Sequence, residues 1–124
     1  NVIRRSGENI SAVEVESVLN QHPLVKASAV AATPDAVRGD EVLACIVLRD
    51  PAEPAQHVLI ATDIVRHALD QLAYYKAPGY VAFVDALPLT PSQKIQRGQL
   101  RDMAQTLPGQ ALCVDTRVMK KRQS

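Results

Sequence analysis

One lysine stands in surroundings that suit chemistry. Lys94 lies within Leu87-Pro88-Leu89-Thr90-Pro91-Ser92-Gln93-Lys94-Ile95-Gln96-Arg97, a Pro/Thr/Ser-rich loop just ahead of an amphipathic helix. An ammonium on a flexible stem is a mobile point charge suited to phosphate oxygens. Near the other end, Ser6-Gly7-Glu8-Asn9 forms a turn before a capped helix, with Gly7 supplying unusual backbone angles. His22, His57 and His67 have no cysteine, carboxylate or second histidine at ligand spacing, so they read as surface polar residues and neither a metal site nor a triad is expected. Glu14 and Glu16 read as acids favoured near a helix N-terminus, Arg4 and Arg5 as solvated, and Tyr74 and Tyr75 as half-buried anchors at a helix end.

The elements that must hold these residues follow from periodicity. Ser11 with Glu14 has the form of a capping box, and Ala12, Val15, Val18 and Leu19 recur at three and four, so a helix is expected from there to about His22, ahead of Pro23. Val25 to Ala32 reads as a strand. The run Val42-Leu43-Ala44-Cys45-Ile46-Val47-Leu48, within Glu41 to Arg49, is apolar on both faces and reads as the central strand. A Pro-containing surface loop at 50–54 precedes a second helix from about Gln56 to Leu72. Pro78 and Gly79 punctuate the chain before a third strand at Tyr80 to Val84. Leu100, Met103, Ala104 and Leu107 predict a last helix that starts near Gln96 or Arg97 and stops at Pro108-Gly109. A short strand at Leu112-Cys113-Val114 is expected before the end frays. The fold class is therefore α+β, a small domain with a three-stranded sheet packed by helices, plus a short terminal hairpin or strand.

The composition fits one globular domain. At 124 residues, with 47% hydrophobic and 22% charged residues, a core forms without staples. No apolar run approaches the roughly 18 residues of a spanning helix. A net charge of +1 argues against nucleic-acid binding, and the basic cluster Lys120-Lys121-Arg122 reads as a solvated tail. Cys45 and Cys113 are too few and too far apart for a metal or disulfide framework, and Cys45 reads as a small core residue. With no signal peptide visible, a cytoplasmic setting is the default expectation. The abrupt opening on Asn1-Val2-Ile3 is that of a piece of something longer.

Taken in order, Arg5-Ser6-Gly7-Glu8-Asn9-Ile10-Ser11, Tyr75-Lys76-Ala77-Pro78, Phe83-Val84 and Leu87-Pro88 through Thr90 to Lys94-Ile95 and Arg97 resemble the C-terminal domain of the adenylate-forming (AMP-binding) acyl-CoA synthetase family. The resemblance implies that residues 1–107 are a C-terminal lid domain and 108–124 a tail. It implies a parent enzyme that turns a carboxylic acid and ATP into acyl-adenylate and pyrophosphate, then uses coenzyme A to release AMP and form the thioester. Lys94 is then the catalytic lysine, bridging the substrate carboxylate and the α-phosphate. Ser6, Gly7, Glu8 and Asn9 become the loop that lines the coenzyme A channel, with Arg4 and Arg5 within reach of its phosphates. The hinge would lie upstream of residue 1, as would the large N-terminal domain that is the partner of this one. ATP, Mg2+ and coenzyme A serve that parent; the isolated stretch, binding none of them alone, is expected to catalyse neither step.

One departure stands out: the family places glycine before the lysine, and this chain has Gln93. Glycine there allows positive φ or close approach to the nucleotide. Two other readings stay open on the residues: a non-catalytic α+β protein-interaction module that keeps the lysine loop as surface structure, and the lid of a carrier-protein-loading adenylation domain. The resemblance of Gly7-Glu8-Asn9-Ile10-Ser11 to the coenzyme A ligases favours free coenzyme A over a carrier protein.

Overall fold

The computed structural model describes residues 2–120. Its elements run β1 (Val2–Arg5), β2 (Glu8–Ser11), α1 (Ala12–Leu19), β3 (Val25–Asp35), β4 (Gly39–Leu48), α2 (His57–Gln71), β5 (Tyr80–Phe83), α3 (Arg97–Thr106) and β6 (Cys113–Asp115). The class is α+β as expected, but the six strands form one mixed sheet in the order β2-β1-β4-β5-β6, with β3 paired to β4. The strands beyond the expected sheet are the N-terminal pair, a hairpin with Arg5 opposite Glu8, while β6, the expected short terminal strand, adds to the free edge of β5.

β4 is the centre because both of its faces are apolar. Val42, Ala44 and Ile46 face a cluster with Val15 and Leu19 of α1 and Ile64, Val65 and Ala68 of α2. Leu43 and Cys45 face Leu100 and Ala104 of α3, with Leu107 just beyond it. The sheet is therefore covered on both sides, by α1 and α2 on one and α3 on the other, and burying two stripes per strand is what sets an apolar run apart from an alternating one. β4 pairs antiparallel with β3 along its length and parallel with β5 from Leu43 to Ile46.

Several expectations about single side chains are corrected here. α1 ends at Leu19, not His22, and only half of its capping box forms. The Glu14 N–H donates to Ser11 Oγ at 3.2 Å, but the Glu14 carboxylate accepts from Lys76 Nζ at 3.0 Å instead of reaching back. Two of the histidines are buried, His22 at 3% exposed and His57 at 8%, and His67 is half-buried. The Leu24 N–H donates to His22 Nδ1 at 3.1 Å, leaving Nε2 to carry the proton and donate to Asp63 Oδ2 at 2.6 Å. His57 stacks on Phe83 with ring centroids 4.5 Å apart, and His67 Nε2 lies 2.8 Å from the Val18 carbonyl.

The end of the chain is corrected too. Thr116 is buried, its hydroxyl donating to the Pro78 carbonyl at 2.9 Å, and the side chain of Lys120 is only 3% exposed. Lys121 and Arg122 lie outside the described residues.

Candidate functional site

Lys94 belongs to a tight β-hairpin. The Gln93 N–H donates to the Thr90 carbonyl at 2.9 Å, the Thr90 N–H to the Lys94 carbonyl at 2.7 Å, and Leu89 bridges Ile95 below them. Pro91 sits at the second position of the turn, where its fixed φ is preorganised. Gln93 then takes φ +67°, the left-handed angle this hairpin type requires of its last loop residue. That requirement explains a preference for glycine at this position; glutamine meets it at a cost of about 1–2 kcal/mol. Thr90 Oγ1 accepts from the Lys94 N–H at 3.2 Å. The backbone of Lys94 is thus held while its side chain is exposed, with no hydrogen bond or ion pair to its ammonium among the described residues.

The second predicted segment is also a hairpin. Ser6 and Gly7 have φ +51° and +83°, the pair of positive angles of a type I′ turn. A Cβ on Gly7 would meet nothing within 4 Å. The turn is tied down from behind: the Ser6 N–H donates to the Arg38 carbonyl at 2.9 Å, and Arg38 Nη1 to Ser6 Oγ at 3.2 Å. Arg4 Nη1 donates to Asn9 Oδ1 across the hairpin at 3.1 Å. Beside the turn opens a cleft of about 350 Å³ lined by Arg5, Ser6, Glu8, Arg38, Tyr74, Tyr75 and Lys120. Tyr74 and Tyr75 are half-buried and meet edge to face.

Arg5 and Lys120 reach that cleft from a buried charge cluster. Glu41 is fully buried, with Arg5 Nη2 3.0 Å from Oε2 and Lys120 Nζ 2.6 Å from Oε1. Lys120 also donates to the Tyr75 carbonyl at 3.0 Å, and the Val42 N–H to Glu41 Oε1 at 2.8 Å. Burial pulls the Lys120 ammonium down to about 8, against the opposing pull of Glu41. Arg5, expected to be solvated, is instead held by Glu41 and by the Asp40 carbonyl at 2.9 Å.

No direct bond joins the two hairpins among the described residues; Arg97 and Glu16 link the helices that follow them. Arg97, three residues after Lys94 and first in α3, donates from Nη1 and Nη2 to Glu16 Oε2 and Oε1 at 2.7 and 2.9 Å. Glu16 lies on α1, the helix that follows the Gly7 hairpin, and is 7% exposed. Its Oε2 also accepts the Val30 N–H of β3 at 2.7 Å. Its role is therefore not that of an acid at a helix N-terminus. No short-range pattern reveals it, because its partner is 81 residues away.

Burial pushes the thiols of Cys45 and Cys113 up to about 12 and about 11, so both stay protonated near neutral pH. Among the described residues, no group of three or more His, Cys, Asp and Glu stands where it could hold a metal ion, and no helix is long and apolar enough to cross a membrane.

The sequence profile of the AMP-binding enzyme C-terminal domain matches residues 14–94, a stretch that ends on Lys94 and leaves Ser6 to Asn9 outside it. The chain is 43% identical over 101 residues to the mitochondrial acyl-coenzyme A synthetase ACSM4 of Rattus norvegicus, covering 82% of this chain but 17% of that protein. It is similar to the crystal structure of Brucella canis acyl-CoA synthetase, with a TM-score of 0.74 and 37% identity over 84% of this chain and 19% of that one. It is also similar to o-succinylbenzoate CoA synthetase from Bacillus subtilis, in complex with its acyl-adenylate intermediate, with a TM-score of 0.71 and 36% identity over 82% and 19%. The rat relative is mitochondrial by name, so it lends the expected cytoplasmic setting no support. With most of its length matched by that profile, including the strand core and the lysine hairpin, this chain belongs to the family of AMP-binding enzyme C-terminal domains.

Proposed function

We propose that this chain is the mobile C-terminal lid of an ATP-dependent carboxylate–coenzyme A ligase, which makes an acyl-adenylate and then an acyl-CoA thioester. The observation that carries this reading is Lys94, an exposed ammonium with no partner among the described residues, its backbone held in a hairpin that resembles the family's lysine loop. In the first half-reaction its charge meets the substrate carboxylate and the α-phosphate of ATP. Negative charge builds there on the pentavalent phosphorus and on departing pyrophosphate, and a fixed cation offsets it. The held backbone of Lys94 matters because misplacing such a group by about 1 Å costs up to ~100-fold in rate.

In the second half-reaction the Ser6–Asn9 hairpin takes its place beside the thiol-bearing arm of coenzyme A. Gly7 leaves open space where any other residue would put a side chain. The neighbouring cleft offers guanidinium groups to phosphate, and Arg38 is the freer of them, since Arg5 is engaged by Glu41. One lid serves both steps by rotating, about a hinge upstream of residue 1, between them. The stretch alone catalyses neither, because the adenine and acyl pockets belong to the large domain. Mg2+ accompanies ATP in this reading and is assigned to no residue of this chain. Free coenzyme A rather than a carrier protein is the acceptor.

The test is carboxylate-dependent ATP–pyrophosphate exchange by the full-length protein over short, medium and aryl acids, followed by coenzyme A-dependent thioester formation. Exchange with at least one acid and thioester formation from it support the ligase. No exchange with any acid would move the chain to the interaction-module reading.

A further inference from the structure

We propose that the Arg97–Glu16 pair is the positioning device for adenylation, fixing where the Lys94 hairpin stands. This rests on the ligase reading above and adds two residues to it. The hairpin itself is thin: its stem below the turn is the single bridge between Leu89 and Ile95, so its direction is set by what holds its two ends. One hold is the Gln96 N–H on the Pro88 carbonyl at 2.8 Å, which closes the loop on itself without tying it to the body of the domain. Leu87 and Ile95 pack the hairpin's flanks against the apolar cluster around Leu100 and Ala104, a contact without fixed direction, and Arg97 adds the directional polar hold on the body.

The geometry of that hold specifies direction as well as distance. A guanidinium seated on a carboxylate through two parallel bonds resists rotation, which a point charge does not. Glu16 is itself fixed by the Val30 N–H, and Arg97 Nη1 lies 3.4 Å from the Val30 carbonyl. Val30 lies on β3, which has β4 as its full-length partner, so the pair occupies polar backbone groups on the open side of that strand. The first residue of α3, the carboxylate of α1 and the edge of the sheet are thereby locked as a triangle, with Lys94 three residues from one corner. A buried ion pair is a poor way to add stability compared with apolar packing of equal volume. Its use here is to set an angle.

The pair also explains how one rigid body carries two alternative active surfaces. Glu16 belongs to α1, which continues directly from β2 and the Gly7 turn. Rotation of the lid then moves both hairpins together, without slack between them.

The test uses the full-length protein and assays the half-reactions separately, with Lys94→Ala alongside. Arg97→Gln and Glu16→Gln should each lower the turnover of pyrophosphate exchange by about tenfold or more, by misplacement of the lysine. The KM for ATP and thioester formation from supplied acyl-adenylate should stay within about twofold of wild type. The double variant should be no slower than the slower single one, since both remove one interaction. Arg97→Lys, which keeps the charge and loses the fork, should recover only part of the rate, and it carries the test if Arg97→Gln does not fold. Unchanged exchange in folded Arg97→Lys, or equal loss of both half-reactions in any of these variants, would overturn the positioning role. Exchange that persists in Lys94→Ala would instead defeat the lid reading itself.

Discussion

The ammonium of Lys120 lies 2.6 Å from Oε1 of Glu41, 79 residues earlier in the chain, and both side chains are buried. Glu41 sits near the start of the central strand, under the β5 entry at Pro78-Gly79, so the end of the described chain is anchored to the middle of the sheet. A carboxylate in such a place needs cations of its own, and Arg5 and Lys120 supply them from opposite ends of the sequence.

That anchor has a pH signature. Lys120 titrates near 8 in the folded protein and near 10.5 in the unfolded chain. Between those values the unfolded state holds a proton that the native state has shed, so this group's contribution to stability rises as pH climbs from about 8 to 10.5. The buried thiols Cys45 and Cys113, whose titration is shifted upward, act in the opposite sense. Comparing denaturation midpoints of wild type and Lys120→Met across this range isolates the lysine. The variant should lack the rise, and parallel curves would contradict the assignment.

Gly79 is required by the same cluster. A Cβ there would overlap the carboxyl group of Glu41. Gly79→Ala should therefore destabilise the domain by about 3 kcal/mol, through overpacking against a buried ion cluster. Chemical denaturation measures it, and a change within 0.5 kcal/mol would contradict it, taking ~0.5 as the spread for a neutral surface substitution.

Much of this architecture can be read along the chain, and the exceptions share a cause. The apolar run of β4, the stripe of α1 and the spacing of Leu100, Met103, Ala104 and Leu107 are local patterns, and each marks an element within a few residues of its place. β1 and β2 escape such reading because they are four residues each and mostly polar: of their side chains, only Ile3 and Ile10 are buried. Glu16, His22 and Lys120 look like surface residues because their partners, Arg97, Asp63 and Glu41, are 81, 41 and 79 residues distant. For the candidate site, Lys94 and Gly7 are visible through their turn chemistry, whereas the support behind them, Arg97 on Glu16 and Arg38 on Ser6, appears only when the chain is folded.

Gln93 gives a simple test of that turn chemistry. Its φ of +67° is strained for glutamine, free for glycine and worst for a β-branched residue. Gln93→Gly should stabilise the domain by about 0.5 kcal/mol, the relief of left-handed strain less the flexibility glycine adds to the unfolded chain. Gln93→Val should destabilise it by about 1 kcal/mol. The reverse order of melting temperatures would show that the hairpin has another shape.

Gly7 separates fold from function. With no atom within 4 Å of its added Cβ, a large side chain there meets only the strain of φ +83°, about 1 kcal/mol. Gly7→Trp in the full-length protein should therefore fold and adenylate, yet form thioester about tenfold or more slower, by obstructing the thiol's approach. Thioester formation at the wild-type rate would remove the turn from the coenzyme A channel.

Lys94 is proposed to serve adenylation and not thioester formation. The most direct measurement is the rate of each half-reaction in full-length wild type and Lys94→Ala, with acyl-adenylate supplied for the second. Loss of the ammonium should slow adenylate formation by about 100-fold or more, as for removal of other groups that stabilise developing charge, and leave thioester formation within about threefold. Equal loss in both half-reactions, or undiminished adenylation, would contradict the account.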